Sequence, residues 1–293
     1  MKVVRYLDAD GTTRIGVSDP EGVRPLPVST VADLLSGDLA RWRDLLTQAG
    51  APSPEPVRLL PPVDGDMEVW AAGVTYRRSR DARMEESTVS DPYDRVYQAA
   101  RPELFFKAQA WRVCGPGEPV AIRADSTVDV PEPELAVVVT ATGEIAGYTL
   151  CNDMSSRSIE GENPLYLPQA KVYAGSCALG PGIVPAESIT DPGGLVVSLQ
   201  VRRGDQIVFA GRTDTGQLVR PLPDLVSWLF EEQDFPDGVV LSTGTGIVPD
   251  LDFSLEAGDE ITIAVDQIGE LTNPVVRGKQ AMAWLLERRK PRG

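Results

Sequence analysis

Val130-Pro131-Glu132-Pro133-Glu134-Leu135-Ala136-Val137-Val138-Val139, followed by Cys151-Asn152-Asp153, sets a strand-turn-strand pattern with acidic residues at its open end. Leu135 to Val139 is apolar and largely β-branched, Thr142-Gly143 is a turn signal, and Ile145 to Cys151 reads as a returning antiparallel strand. In a strand, residues i and i+2 share a face, so Glu132 and Glu134 stand side by side, about 7 Å apart at Cα. With a two-residue turn at Thr142-Gly143, Glu134 opposes Cys151 and Glu132 opposes Asp153, roughly 5 Å apart at Cβ. Three carboxylates then converge.

Like charges placed opposite one another destabilise a sheet unless something compensates, and a divalent cation would do so. An all-oxygen ligand set suits Mg²⁺, with Mn²⁺ or Ca²⁺ as alternatives. The same Glu-x-Glu pattern also describes the solvated face of an edge strand, where Pro133 is tolerated. Spacing alone leaves both open.

Composition narrows the field. The chain of 293 residues is long enough for one large domain with a small appendage. A formal net charge of -15 disfavours nucleic acid and anionic membranes as partners. Cys114, Cys151 and Cys177 lack CxxC spacing and fit a reducing compartment as small buried hydrophobes. The N-terminus shows no signal-peptide core, and no run of about 18 apolar residues occurs, so a cytoplasmic location is expected. The sequence contains no histidine, which removes every His-based triad, general base and metal ligand.

Val3 to Leu7 and Thr13 to Val17 flank the hairpin signal Asp8-Ala9-Asp10-Gly11, and Thr30 caps a helix through Val31 and Leu34. A second helix is expected over Leu39 to Gln48 with Leu45 and Leu46 on its apolar face. Ala51 to Pro62, with five prolines, reads as a linker. These features give a small N-terminal α/β domain over 1–65, with a packing or dimer-supporting role, and a large domain over 66–293. Met67 to Gly73 should be a buried strand entering a charged loop, Val74 to Glu86, which holds Arg77, Arg78, Arg80 and Arg83. A strand over Arg101 to Lys107 follows, with Leu104 and Phe106 on one face, Glu103 and Phe105 on the other, and Lys107 a charge just behind the site. Ser155 and Ser156 offer N-cap hydroxyls, and Glu160 to Tyr173 reads as an irregular lip. A hairpin turning at Arg203-Gly204-Asp205, a helix over Leu225 to Gln233, a glycine-rich turn at Gly244-Thr245-Gly246 and a closing helix over Ala281 to Glu287 complete the reading. Counting elements gives an α+β fold with a dominant sheet.

Pro131-Glu132-Pro133-Glu134-Leu135, Cys151-Asn152-Asp153-Met154-Ser155-Ser156-Arg157 and Ala178-Leu179-Gly180-Pro181 together resemble the metal-binding core of the fumarylacetoacetate hydrolase family. Gly73-Val74-Thr75-Tyr76, Pro102-Glu103-Leu104-Phe105-Phe106-Lys107, Gly244-Thr245-Gly246 and Ile268-Gly269-Glu270-Leu271-Thr272-Asn273 continue the match in the family's order. The resemblance implies a mixed β-sandwich roll, usually a homodimer or higher homo-oligomer, and Mg²⁺ held by Glu132, Glu134 and Asp153. It also implies catalytic roles for Glu103 and Lys171 and a substrate contact from Thr245, while Thr75 and Ser79, at the family's Asn and His positions, and Arg80, in the loop after the buried strand, are further candidate substrate contacts. Lys171 would favour an enolate by its charge, a Schiff base being the alternative. Hydrolases of the family show Gly-x-Asn-Tyr-x-x-His-x-x-Glu where this chain has Thr75 for Asn, Ser79 for His and Ala82 for Glu. The His-Glu dyad that activates water is therefore missing. Ile159 to Lys171 is more similar to the family's sugar-acid dehydratases.

Three functions compete on these grounds. The first is a metal-dependent hydro-lyase converting 2-keto-3-deoxy-D-arabinonate, or a related pentonate, to 2,5-dioxopentanoate. The second is an acylpyruvate or diketo-acid hydrolase or an oxaloacetate decarboxylase. The third is a metal-stabilised scaffold without chemistry.

Overall fold

The structure, a computed structural model, describes residues 1–53, 58–86, 91–250 and 252–289. In chain order come β1 (Lys2–Leu7), β2 (Thr13–Asp19), β3 (Gly22–Pro25), α1 (Val31–Leu35), α2 (Leu39–Thr47), β4 (Arg58–Leu60) and β5 (Glu68–Gly73). Helices α3 (Arg77–Glu86) and α4 (Asp91–Gln98) precede β6 (Glu103–Gln109), β7 (Val120–Ile122), β8 (Asp129–Val130), β9 (Pro133–Val139) and β10 (Ile145–Asp153). The short β11 (Ser155–Ser156), α5 (Arg157–Glu162) and α6 (Leu167–Lys171) lead into β12 (Cys177–Pro185) and the hairpin β13 (Val196–Arg203) and β14 (Gln206–Asp214). The order closes with α7 (Leu222–Phe230), β15 (Val239–Ser242), β16 (Asp259–Val265), β17 (Gly269–Arg277) and α8 (Leu285–Arg288).

The fold is α+β with two packed sheets. The larger runs β3-β2-β1-β12-β10-β9-β15-β5-β6, with β4 also on β1, and the smaller runs β14-β13-β16-β17-β7. β15 with β5 and β17 with β7 are parallel pairs in otherwise antiparallel sheets. β9 lies mid-sheet, and Leu135 to Val139 are fully buried on both faces. Leu135, Val137 and Val139 join the core between the sheets with Val197, Leu199 and Val201 of β13 and Ile261 and Ile263 of β16, while Ala136 and Val138 pack with Leu34, Leu35 and Trp42. A strand covered on both sides must read as a continuous apolar run, as this one does.

The N-terminal strands continue the large sheet, because β1 pairs with β12 at Val3↔Ile183. Trp42, fully buried, anchors α2, while Leu45 and Leu46 are only half-buried. Truncating such a side chain costs about 3–5 kcal/mol. Trp42→Ala should therefore lower the urea midpoint markedly, and an unchanged midpoint would show that α2 adds nothing to the shared core.

Four local expectations need correction. The charged segment after Gly73 is helical over Arg77–Glu86, since residues 77–86 contain no glycine or proline and are rich in Arg, Glu, Ala and Met. The lip over 160–173 is built from α5, a 3₁₀ turn and α6, because Pro164 and Pro168 occupy first-turn positions where proline starts a helix, and Asn163 accepts from Leu165 N at 2.9 Å. Part of the proline-rich linker, Arg58–Leu60, pairs with β1 instead of running free, and residues 54–57 of it lie outside the described residues. The closing helix is divided into a 3₁₀ turn at Lys279–Met282 and α8. Among the described residues no helix is long and apolar enough to cross a membrane.

Candidate active site

The β9–β10 hairpin delivers the acidic residues through two offsetting irregularities. Thr140 N donates to Glu144 O at 2.9 Å and Gly143 sits at φ 81°, so the turn holds one residue more than the sequence suggests. A bulge at Ala146 then shifts the register back between Val139↔Ile145 and Val138↔Gly147. Glu134 therefore opposes Cys151, and Glu132 and Asp153 exchange backbone hydrogen bonds of 3.2 and 3.0 Å. Pro133 lies beyond the end of β15, whose last pairing with β9 is Ser242↔Ala136, so no ladder N–H is demanded of it.

Glu132, Glu134 and Asp153 are all buried, and one oxygen from each lies within 4.8 Å of the others. The solvated edge-strand reading fails on this burial. Lys171, at the end of α6, donates to Glu132 Oε2 at 2.8 Å, Asp153 Oδ2 at 3.1 Å and Ser155 Oγ at 2.6 Å. Ser242 Oγ and Gly244 N donate to Glu134 Oε2 at 2.5 and 2.8 Å. Burial first, then the Asp153 and Glu132 charges, push the Glu134 carboxyl up to about 8. A cluster of buried oxygens that holds a proton near neutral pH is a donor set that fits a hard divalent cation.

That proton gives a pH dependence. Between about 4.3 and about 8, the folded metal-free protein retains a proton that the unfolded chain has lost, so its stability falls as pH rises. A divalent cation displaces that proton, so its affinity should rise with pH and level off above about 8. The thermal shift produced by Mg²⁺ should be larger at pH about 8.5 than at about 6.5. Equal shifts at both would contradict this assignment.

One pocket gathers the three carboxylates with Lys171, Glu103, Ser79, Thr245 and Glu160. Glu103 and Phe105 share the pocket face of β6, and the Phe105 ring lies 5.7 Å from Lys171 Nζ. Phe106 turns the other way, onto Trp70. Gly73 makes room for Glu103, since a Cβ there would lie 2.1 Å from Glu103 Oε2. Ser79 Oγ donates to Tyr76 O at 2.8 Å, and Thr245 Oγ1 accepts from Ile247 N at 3.1 Å. A larger groove, lined by Arg5, Asp64 and Arg288 among others, holds none of these residues.

Two of the expected substrate contacts do not line the pocket. Thr75 Oγ1 is spent on Thr243 O at 2.6 Å and buttresses the glycine-rich turn from behind. Arg80 pairs with Asp81 at 2.6 Å and stacks on Tyr97 at 4.7 Å, tying α3 to α4. Glu160, which α5 buries in the pocket wall, and Ser242 have no role predicted from the sequence. Ser155 and Ser156, expected as helix caps, act otherwise: Ser155 bonds Lys171, and Ser156 Oγ bonds Ser126 Oγ at 2.8 Å.

A two-sheet roll with a buried acidic triad on its central hairpin defines a class of metal-site proteins. Residues 68–276 match the fumarylacetoacetate (FAA) hydrolase C-terminal family, and the chain belongs to that family. It is 45% identical over 246 residues to a probable 2-keto-3-deoxyxylonate dehydratase of Haloferax volcanii, covering 84% of this chain and 83% of the relative. Identity to the 2-dehydro-3-deoxy-D-arabinonate dehydratase of Saccharolobus solfataricus is 41% over 228 residues, 76% of each chain. A solved structure of 2-keto-3-deoxy-D-arabinonate dehydratase complexed with magnesium and 2,5-dioxopentanoate superposes with a TM-score of 0.83 at 34% identity, covering 94% of this chain and 99% of that one.

Proposed function

We propose that this chain is a Mg²⁺-dependent hydro-lyase that converts 2-keto-3-deoxy-D-arabinonate, or a related pentonate, to 2,5-dioxopentanoate. The observation that carries the reading is one pocket holding three buried carboxylates, Lys171 and Glu103, with Ser79 and Ala82 where a water-activating dyad would stand. Glu132, Glu134 and Asp153 would hold the ion. Mg²⁺, when bound, supplies Lewis acidity that eases loss of a proton beside a keto group.

The residues do the rest. Lys171 offers positive charge to the oxygen on which negative charge develops as C3 loses its proton. Glu103, across the pocket, takes up the C3 proton and returns it to the C4 hydroxyl, which leaves as water. The C3=C4 unsaturation so formed shifts to C4=C5 as C5 loses a proton and C3 regains one, and that enol takes a proton at C4 and gives up its hydroxyl proton to become the aldehyde, so the net change is loss of one water. Ser79 and Thr245 line the wall on which substrate oxygens lie, and Arg80 and Thr75 support that wall from outside the pocket. Oxidation at C2 and loss of the C3 hydroxyl leave C4 as the sole stereocentre, so the D-xylonate and D-arabinonate derivatives are one compound.

The same proposal includes a homodimer or higher homo-oligomer in the cytoplasm. Residues 1–65 serve it as a supporting unit. Incubation with a panel of five- and six-carbon 2-keto-3-deoxy acids should yield an aldehyde product from the five-carbon D acid. Faster cleavage of acylpyruvates or decarboxylation of oxaloacetate would replace this reading with the hydrolase or decarboxylase one.

A further inference from the structure

Beneath the pocket lies a second lysine whose surroundings are unusual for a packing residue. Lys107 is fully buried in β6, and Val69↔Ala108 followed by Trp70↔Phe106 leaves it as the extra residue of a β-bulge. Bulges re-aim a side chain at the cost of a regular ladder, and they recur beside sites. Lys107 Nζ donates to Met154 O at 3.0 Å and to Lys171 O at 2.5 Å, and it pairs with Asp153 Oδ1. Of the three N–H donors of this ammonium, two are met by these carbonyls, and the Asp153 carboxylate balances its charge as an ion pair.

The acceptors belong to two different elements. Asp153 and Met154 stand at the end of β10, and Lys171 O is the last carbonyl of α6, whose own ammonium meets Asp153 Oδ2 and Glu132 Oε2. Lys107 and Lys171 thus hold opposite oxygens of Asp153, and Lys107 also holds the Met154 and Lys171 carbonyls. Burying an ammonium is costly unless every donor is met, and an apolar side chain of similar volume would fill the space without that cost.

We propose that Lys107 is a positioning residue: it fixes the Asp153 carboxylate and the end of α6 in one arrangement, so that a cation ligand and the Lys171 ammonium are set together. The proposal rests on the cation reading given above. It differs in sign from a simple charge effect. By charge alone, an ammonium beside a ligand carboxylate weakens cation binding, and its removal would tighten it. By positioning, its removal loosens the ligand and weakens binding, as loss of the partners that orient metal ligands does.

Mn²⁺ binding followed by electron paramagnetic resonance separates these cases, run on the parent, Lys107→Met, Lys107→Gln and Glu134→Gln. Lys107→Met should bind Mn²⁺ about 10–100-fold more weakly than the parent, with a broadened Mn²⁺ spectrum and a lower kcat. Lys107→Gln, which keeps two N–H donors for the carbonyls but no charge, should fall between the two. Unchanged or tighter binding by folded Lys107→Met would overturn the proposal. So would failure of both variants to fold at saturating Mn²⁺, which would assign Lys107 to the fold. Absence of Mn²⁺ binding by the parent itself would overturn the cation reading instead, and the role of Lys107 with it.

Discussion

Glu134→Gln should lose Mg²⁺ binding and activity together while gaining stability as the metal-free protein at alkaline pH. Loss of residues that merely orient a metal ligand costs about 10–100-fold, so loss of a ligand should exceed about 10²-fold in metal affinity. The amide is nearly isosteric with the carboxyl, and Ser242 Oγ and Gly244 N still find an acceptor in its carbonyl oxygen. What disappears is the buried acid that burial, Asp153 and Glu132 hold protonated up to about 8. Above that pH the parent carries an uncompensated buried charge when metal-free, and the variant does not. Isothermal titration and thermal denaturation at alkaline pH should therefore move in opposite directions. The exposed Glu287→Gln should change neither. Equal metal affinity in Glu134→Gln and the parent would remove Glu134 from the ligand set.

Glu103→Gln should behave differently, losing kcat while metal binding stays intact. General acid catalysis by one side chain is worth about 10²–10⁴-fold, and that is the expected fall in kcat on the five-carbon keto acid. The Gly73 backbone lies against the Glu103 carboxylate, and glutamine has the same shape, so the pocket wall should remain in place. A Mn²⁺ titration that matches the parent, paired with the lowered kcat, would assign the loss to proton transfer. A kcat unchanged within a factor of about two would remove Glu103 from the chemistry, because a general acid contributes far more than that.

The acidic cluster was legible because its spacing is a backbone property. Strand alternation places Glu132 and Glu134 on one face whatever surrounds them, and the register that brings Asp153 opposite Glu132 survives a longer turn only because the bulge at Ala146 restores it. The right pairing thus follows from the sequence through a turn of the wrong length. Thr75 and Arg80 show where such reasoning stops. Both sit next to pocket residues in the chain, yet a hydroxyl can turn to Thr243 O and a long guanidinium can reach Asp81 and Tyr97, and neither choice is encoded in spacing. Glu160 was hidden for the opposite reason. Its place in the wall depends on α5 packing against α6, α3 and β8, with α6 on β11, which is a tertiary event with no local periodicity.

The two-sided burial of β9 bears on how the pocket opens. Amides of Leu135 to Val139, fully buried between two cores, should exchange with solvent only when the whole chain unfolds. The pocket residues Ser79 on α3 and Glu160 on α5 ride on short helices that can open locally at far lower cost. Floor and rim therefore belong to different cooperative units. Changes to the rim can reshape the mouth of the pocket without drawing on the stability of the strand that carries Glu134.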